Sequence, residues 1–143
     1  MRRIFLTGLL AAFALALAAA PAGAFQLKSF QTPDKNIGCT LFYGKGARGG
    51  SARCDIREHD WKTPKKPRSC ELDYGQGLAV GPGGKGGFVC AGDTTLGQGR
   101  KLAPGGSVTV GPYECKNQGA AVRCVNHRTK HGFEISRGST ERF

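Results

Sequence analysis

Apolar residues in this chain fall into short runs, and no long segment beyond residue 24 repeats them at the helical spacing of about 3.6 residues. Runs rich in strand-forming residues occupy 37–43, 51–56, 78–80, 87–90, 107–110, 120–126 and 133–135. Gly and Pro clusters at 44–50, 81–84, 104–106 and 111–112 separate these runs. Many short strands with Gly/Pro turns are typical of β-sandwiches and β-barrels. The sequence therefore predicts an all-β fold, a small sandwich or barrel of short antiparallel strands.

The N-terminal segment has a different pattern. Arg2 and Arg3 precede a continuous apolar stretch at 9–20, and small residues follow up to Ala24. This three-part pattern predicts a secretory signal peptide over residues 1–24 and one domain over 25–143. The paired arginines also resemble a twin-arginine export signal, but the strong apolar stretch favours the general secretory route.

An uncleaved membrane anchor is the alternative interpretation of this segment. The apolar stretch is short for a span, which needs about 20 apolar residues, and no stop-transfer flank follows it. We therefore expect no transmembrane segment after cleavage, and a periplasmic or secreted protein.

The cysteines predict a disulfide framework. All six lie in the part that follows the signal segment, and an even number of cysteines in a short exported chain is typical of disulfide-stabilised domains. They are Cys39, Cys54, Cys70, Cys90, Cys115 and Cys124. Six cysteines allow 15 pairings, and the count alone does not choose among them.

Counting residues along possible hairpins favours disulfides between cysteines that are neighbours in the sequence. If Cys115 faces Cys124, the intervening residues pair and leave Gly119-Ala120 as a two-residue loop. A type II′ turn requires a positive φ at its first position, where Gly is preferred. Similar arithmetic pairs Cys39 with Cys54 around a loop tip at 45–48, which leaves Cys70 with Cys90.

Positive charge is the strongest functional signal. The chain has 21 Lys and Arg against 10 Asp and Glu, a formal net charge of +11. One basic cluster surrounds Trp61, and it comprises Lys62, Lys65, Lys66 and Arg68. A second lies near Phe133 and Phe143, and it comprises Arg123, Arg128, Lys130, Arg137 and Arg142. Basic residues among aromatics favour a polyanion partner, such as an anionic envelope polymer, over a specific nucleic acid. The alternative is a basic, soluble surface with no dedicated ligand.

Catalytic and cofactor motifs are weak. His127 and His131 are four residues apart, but no acidic or Cys ligand lies near them in the sequence, so we expect no metal. The Gly-rich segment 81–87 has no Ser or Thr after Lys85 and no helix pattern, so a hairpin tip is preferred to a phosphate-binding loop. Asp93, His131 and Ser136 are the residue types of a catalytic triad, but no sequence motif indicates that they lie together. We expect no cofactor.

Several segments resemble an uncharacterised family of bacterial exported domains (domain of unknown function 6636). The matching residues are Phe30, Pro33, Asn36, Ile37, Gly38 and Cys39, then Arg53 to Ile56 with Trp61 and Pro64, then Phe88, Cys90, Gly92 and Asp93, and finally Cys124, Asn126, Thr129 and the run from His131 to Arg137. The chain departs from the family pattern at Lys130, where Gly is expected, and at 97–102. The resemblance implies one exported domain and the Cys framework, and no activity.

These observations favour a non-catalytic binding or envelope-associated module that is monomeric. We place its binding residues in the segment 126–137, where a strand pinned by Cys124 presents a polar loop. They are His127, Arg128, Lys130, His131 and Arg137. In the alternative, Phe133 and Ile135 form a last core strand and the loop is only a connection. A further alternative is a small secreted hydrolase that uses His131 with Asp93 or Ser136.

Overall fold

The computed structural model describes residues 23–46 and 48–143, and in them the chain forms two β-sheets. The strands of the first sheet are β1 (Gln26–Gln31), β2 (Ile37–Tyr43), β3 (Ser51–Ile56), β4 (Asp73–Val80), β5 (Gly87–Ala91) and β6 (Arg100–Lys101). Those of the second are β7 (Ser107–Val110), β8 (Tyr113–Asn117), β9 (Ala121–Asn126), β10 (Gly132–Ser136) and β11 (Thr140–Arg142).

The two sheets pack face to face as a sandwich. The first has the order β5-β4-β3-β2-β1-β6, and the second has the order β11-β10-β9-β8-β7. All pairings are antiparallel except the short pairing of β1 with β6. Most neighbours along the chain are also neighbours in a sheet, so hairpin turns cluster at the two ends of the sandwich. The predicted all-β fold is confirmed, and it is a sandwich.

Alternation along the strands builds the core. In β9, Val122, Cys124 and Asn126 are buried while the residues between them are half-buried. In β3, Ala52, Cys54 and Ile56 have no exposed surface. Successive side chains of a strand point to opposite faces of the sheet, so these residues form the inner layers of the sandwich.

Two disulfides lie at the centre of this core. Cys39 pairs with Cys54 across β2 and β3, and Cys115 pairs with Cys124 across β8 and β9. All four cysteines have no exposed surface. The Sγ atoms of Cys54 and Cys124 lie 3.5 Å apart, so the two disulfides are in contact across the sandwich.

The third disulfide lies at the edge of the sandwich. It joins Cys70, at the end of the long β3–β4 connection, to Cys90 of the edge strand β5. The three pairs are those expected from hairpin arithmetic, and the predicted register of Lys116 with Arg123 is present. Gly119 has a φ of 94°, as the first position of the predicted two-residue turn requires.

Several strands differ from the sequence-based expectation. The expected strand at 78–80 is the end of the longer β4, and β1, β6, β8 and β11 were not among the expected runs. The signal segment of residues 1–24 lies outside the described residues except for its last two positions. Across 23–46 and 48–143, no helix is long and apolar enough to cross a membrane.

We predict that mild reduction opens the Cys70–Cys90 bond first. Cys90 is exposed, whereas the other two disulfides have no solvent-accessible surface, and thiol–disulfide exchange requires access to a sulfur atom. Native protein treated with a low concentration of dithiothreitol, alkylated and digested should carry label on Cys70 and Cys90 only. Equal labelling of all six cysteines at partial reduction would contradict the prediction.

Candidate functional site

The connection between β9 and β10 is organised by Asn126. Its backbone NH donates to His131 O (2.9 Å), and its carbonyl accepts the NH of Lys130 (2.8 Å). Its side-chain oxygen accepts the NH of Arg128 (3.0 Å). Asn126 itself is buried, and its Nδ2 donates to Gly81 O (2.9 Å) in the β4–β5 connection. The loop is therefore held to the opposite sheet as well as to its own strands.

Backbone conformation distinguishes one residue of this loop, and lack of space explains the glycine that begins β10. Lys130, where the family pattern has Gly, has a φ of 64°, a left-handed conformation that side chains other than Gly disfavour. Gly132 does not have such a conformation, because its φ is not positive. Gly is required at this position because a Cβ would collide with Cys124 O and with the ring of Phe143.

Three loops meet at this end of the sandwich. Tyr113 donates its hydroxyl to Gly49 O (2.8 Å) and Gly50 O (3.0 Å) in the β2–β3 connection, which places that loop beside the second sheet. Burial raises the pKa of Tyr113, so this hydroxyl keeps its proton and remains a donor. Arg128 donates to the Tyr43 hydroxyl (2.9 Å), which ties the β9–β10 loop to β2. The β4–β5 loop joins them through Asn126.

These three loops carry a group of basic side chains, which we call the cationic loop end: Lys45, Arg48, Lys85, Arg128 and Lys130. In the part of the chain that the structure describes, none of them forms an ion pair with a carboxylate. The nearby acid Glu114 is paired with His127, Oε2 to Nε2 at 2.7 Å. Four of the five predicted binding residues thus share one loop, and three cations of neighbouring loops join them.

The fifth predicted binding residue lies elsewhere. Arg137 follows the last residue of β10, at the opposite end of the sandwich from the β9–β10 loop. Its guanidinium contacts Asp60 Oδ2 (3.2 Å) and Glu58 Oε2 (3.1 Å), and the hydrogen bond to Asp60 raises its pKa. Its charge is compensated by these acids, so it belongs to a contact between β10 and the β3–β4 connection.

Sequence reasoning missed the contribution of Lys45, Arg48 and Lys85 to the site. Each sits near Gly residues in a hairpin tip, where it was treated only as part of a turn. The available signal was the strand order. In an antiparallel sheet, the turns that follow β2 and β4 lie at the same end of the sheet. Their contact with the second sheet depends on how the sandwich closes, which the sequence pattern does not give.

Asp93 belongs to a structural ion-pair network on the outer face of the first sheet. Arg53 binds Asp55 through two hydrogen bonds (2.9 and 2.7 Å) and binds Asp93 at 2.7 Å. Burial acts to lower the pKa of Arg53, but its hydrogen bonds to the two carboxylates outweigh this and raise it. Hydrogen bonding to Arg53 also lowers the pKa of Asp93. Asp93 is therefore an ionised partner of Arg53 at neutral pH.

Asp55 also fixes the segment that follows β5. Its Oδ2 accepts the NH of Thr95 (2.9 Å), while Thr95 Oγ1 donates to Gly38 O (2.6 Å). A Cβ at Gly38 would collide with Thr95, and one at Gly77 would collide with Asp55. Two glycines of the adjacent strands thus make room for this buried carboxylate and its loop.

The structure does not bring the residues of the hydrolase alternative together. Asp93 is held by Arg53 on the outer face of the first sheet, while His131 and Ser136 lie at opposite ends of β10 in the second. Ser136 Oγ donates to Ser139 O (3.1 Å) in its own turn. Among the described residues, the one cluster with metal-ligand spacing is Cys39, Cys54 and Cys124, whose sulfurs are committed to disulfides.

Comparison with known proteins identifies one family. A model described as a family of unknown function (DUF6636) matches residues 8–143. No curated protein and no solved structure matches the chain.

We predict that Asp55→Ala lowers the free energy of unfolding by about 3 kcal/mol, because the buried carboxylate accepts two hydrogen bonds from Arg53 and one from the NH of Thr95, and these donors lose their acceptor. Asp93→Ala removes a fully exposed partner of the same guanidinium and should have a much smaller effect. Urea unfolding of both variants measures the difference. Equal losses of stability would show that Asp55 is not the centre of this network.

We also predict that Lys130→Gly is more stable than Lys130→Ala by about 1 kcal/mol, because Ala retains the strain of a left-handed φ. The control is Lys116, an exposed residue within β8, where the usual strand preference should make the Ala variant the more stable one. Thermal unfolding of the four variants tests the reversal. The same order at both positions would contradict it.

Proposed function

The chain belongs to the DUF6636 family, and we propose that it is a non-catalytic binding module that attaches to anionic polymers of the cell envelope. The observation that carries the proposal is the cationic loop end. Five Lys and Arg side chains from three loops lie together there without a carboxylate partner in the described part of the chain.

The grouping of cations on three adjacent loops, and not an absence of unpaired cations elsewhere, distinguishes this end from the rest of the basic surface. Elsewhere, Arg53, Arg123 and Arg137 each contact a carboxylate within 3.5 Å. Uncompensated cations on adjacent loops raise the local positive potential, which attracts anions and accelerates their binding. A polymer with regularly spaced negative groups can neutralise several of these side chains at once and release their counterions.

The support beneath the loops suits a binding surface. Tyr113 and Asn126 are buried, and each donates a side-chain hydrogen bond to a loop of the opposite sheet. A rigid β-scaffold that presents polar loops is a common arrangement in binding proteins. It lowers the entropy lost when a ligand orders the surface.

The proposed location outside the cytoplasm rests on the disulfides and the signal segment. The described residues contain three disulfides and no free cysteine. Such bonds persist in oxidising compartments and are rare where thiol reductants are abundant. Residues 1–24 have the three-part pattern that is typical of a cleavable export signal. We propose a periplasmic or secreted protein on these grounds.

Heparin affinity chromatography tests the proposed surface. The double variant Arg128→Ala/Lys130→Gly should elute at clearly lower salt than the wild type, because two cations of the cationic loop end are lost. The matched control Arg100→Ala/Lys101→Ala removes the same charge from the exposed strand β6 and should shift elution much less. Equal shifts for the two double variants would mean that total charge alone sets the affinity, and the proposed site would fail.

A further inference from the structure

A separate groove opens at one side of the sandwich, between the edge strands β5 and β11. We call it the side groove. It has a volume of about 550 Å³, within the range of roughly 300–1,000 Å³ that is usual for small-ligand sites. Its lining includes Lys62, Lys85, Phe88, Thr140, Glu141 and Arg142. Lys62 comes from one basic cluster of the sequence and Arg142 from the other, and the fold brings them together.

The floor of the side groove is aromatic. Phe88 lies opposite Leu78 in the sheet, so its ring faces the interior of the sandwich at the edge of the first sheet. The ring is supported by Trp61 and Tyr74, whose centroids lie 5.8 and 6.1 Å from it. Phe88 is only half-buried, so the core is not closed on this side.

Arg142 is fixed on this floor. It lies opposite Phe133 in the second sheet, and its guanidinium carbon is 5.2 Å from the centroid of the Phe88 ring. A guanidinium over an aromatic face is attracted by the ring, and its N–H groups remain free at the edge of its plane. Among the described residues, no carboxylate pairs with Arg142. The planar donor fork is thus held in place without an anion.

The other charges of the side groove complete an anion site. Lys62 and Lys85 are exposed, and no ion pair within the described ranges includes either one. Glu141 is opposite Glu134 on the sheet, and strand alternation directs its side chain to the face away from that of Arg142. Glu134 in turn contacts Arg123 at 3.5 Å on that outer face. Three cations therefore face the groove.

The wall that carries Lys62 is anchored on both sides. Trp61 Nε1 donates to Ser136 O (2.9 Å) in the second sheet, and Cys70 is bonded to Cys90 of β5. The β3–β4 connection is therefore fastened to both sheets beside the groove. This anchoring keeps Lys62, which follows Trp61 directly in the chain, in the lining of the groove.

We infer that the side groove binds a single oxyanion group, the carboxylate of an acidic sugar or a phosphate group. Arg142 provides two parallel N–H donors, and Lys62 and Lys85 neutralise the remaining charge. Bidentate contact with a planar guanidinium distinguishes such a site from diffuse attraction. The side groove meets the cationic loop end only at Lys85, so binding here can be tested with variants that leave the loop cations intact.

Trp61 is the single tryptophan of the chain and lies next to Phe88, so its fluorescence reports on the side groove. We would titrate the protein with inorganic phosphate and, separately, with galacturonate, at constant pH and ionic strength. We expect a saturable change in emission for one or both, and the tighter ligand identifies the source of the oxyanion. Chemical-shift changes of the backbone amides at 85–88 and 140–142 provide a second readout that does not depend on Trp61.

Arg142→Lys keeps the charge but loses the donor fork, so it should weaken binding at least tenfold. The matched control is Arg123→Lys, because Arg123 also lies over an aromatic ring, that of Phe143 at 4.0 Å, but on the outer face. It should bind as the wild type does. No saturable response by either readout, or equal affinity in Arg142→Lys, would overturn the inference. Either result would leave the heparin test of the cationic loop end unaffected.

Discussion

The contact between two disulfides at the centre of the sandwich is the constraint on which the rest of the structure depends. Each disulfide joins neighbouring strands of one sheet, and their sulfurs meet at 3.5 Å between the sheets. Around the two disulfides the interior is filled by aliphatic side chains of both sheets and by three rings, and the rings of Tyr113, Phe30 and Phe133 are its largest buried side chains. By the chain-entropy estimate a disulfide that closes a 15-residue loop contributes about 3 kcal/mol, and Cys39–Cys54 has that separation. The disulfides fix each hairpin within its sheet, and the two sheets are held to one another by the packing of their inner faces, in which both disulfides take part.

A disulfide that fixes a hairpin near its middle leaves the sequence of the connecting loop free to vary. The β2–β3 pair is held near mid-strand, so its connecting loop can be rich in Gly and can carry Lys45 and Arg48 without loss of register. The third disulfide acts at the periphery, where it attaches the long β3–β4 connection to β5. Two buried disulfides thus maintain the sandwich, while the edge disulfide shapes the wall of the side groove.

The parts of the fold that depend on local spacing were predictable, and the parts that depend on closure of the sandwich were not. The register around Cys115 and Cys124 followed from counting residues, because a two-residue turn leaves no freedom. The first half of β4 was missed because Gly75 and Gly77 interrupt its strand pattern. Gly77 is there because the side chain of Asp55, from the next strand, occupies the space above it. β1 was missed because its first residues are exposed and its two apolar residues, Leu27 and Phe30, are three positions apart, so they do not alternate with polar ones.

The same distinction applies to the candidate site, and it determines how the positive charge should be interpreted. Sequence spacing identified the β9–β10 loop, yet it grouped Arg137 with it, although acids of the β3–β4 connection neutralise that residue. It could not show that Lys85 approaches this loop, since Gly86 packs against Gly132 only once the sheets have closed. A net positive charge by itself indicates solubility and does not indicate a binding site. Cations that are paired with carboxylates count toward the positive charge but contribute little to the electrostatic potential at a distance. Here acids lie beside Arg53, Arg123 and Arg137, while two groups of cations without a carboxylate partner in the described residues lie on the loops at one end and around the groove at one side, and the remaining unpaired cations lie elsewhere on the surface. Grouping of unpaired cations, more than the excess of Lys and Arg, distinguishes a binding surface from a basic surface that has no ligand.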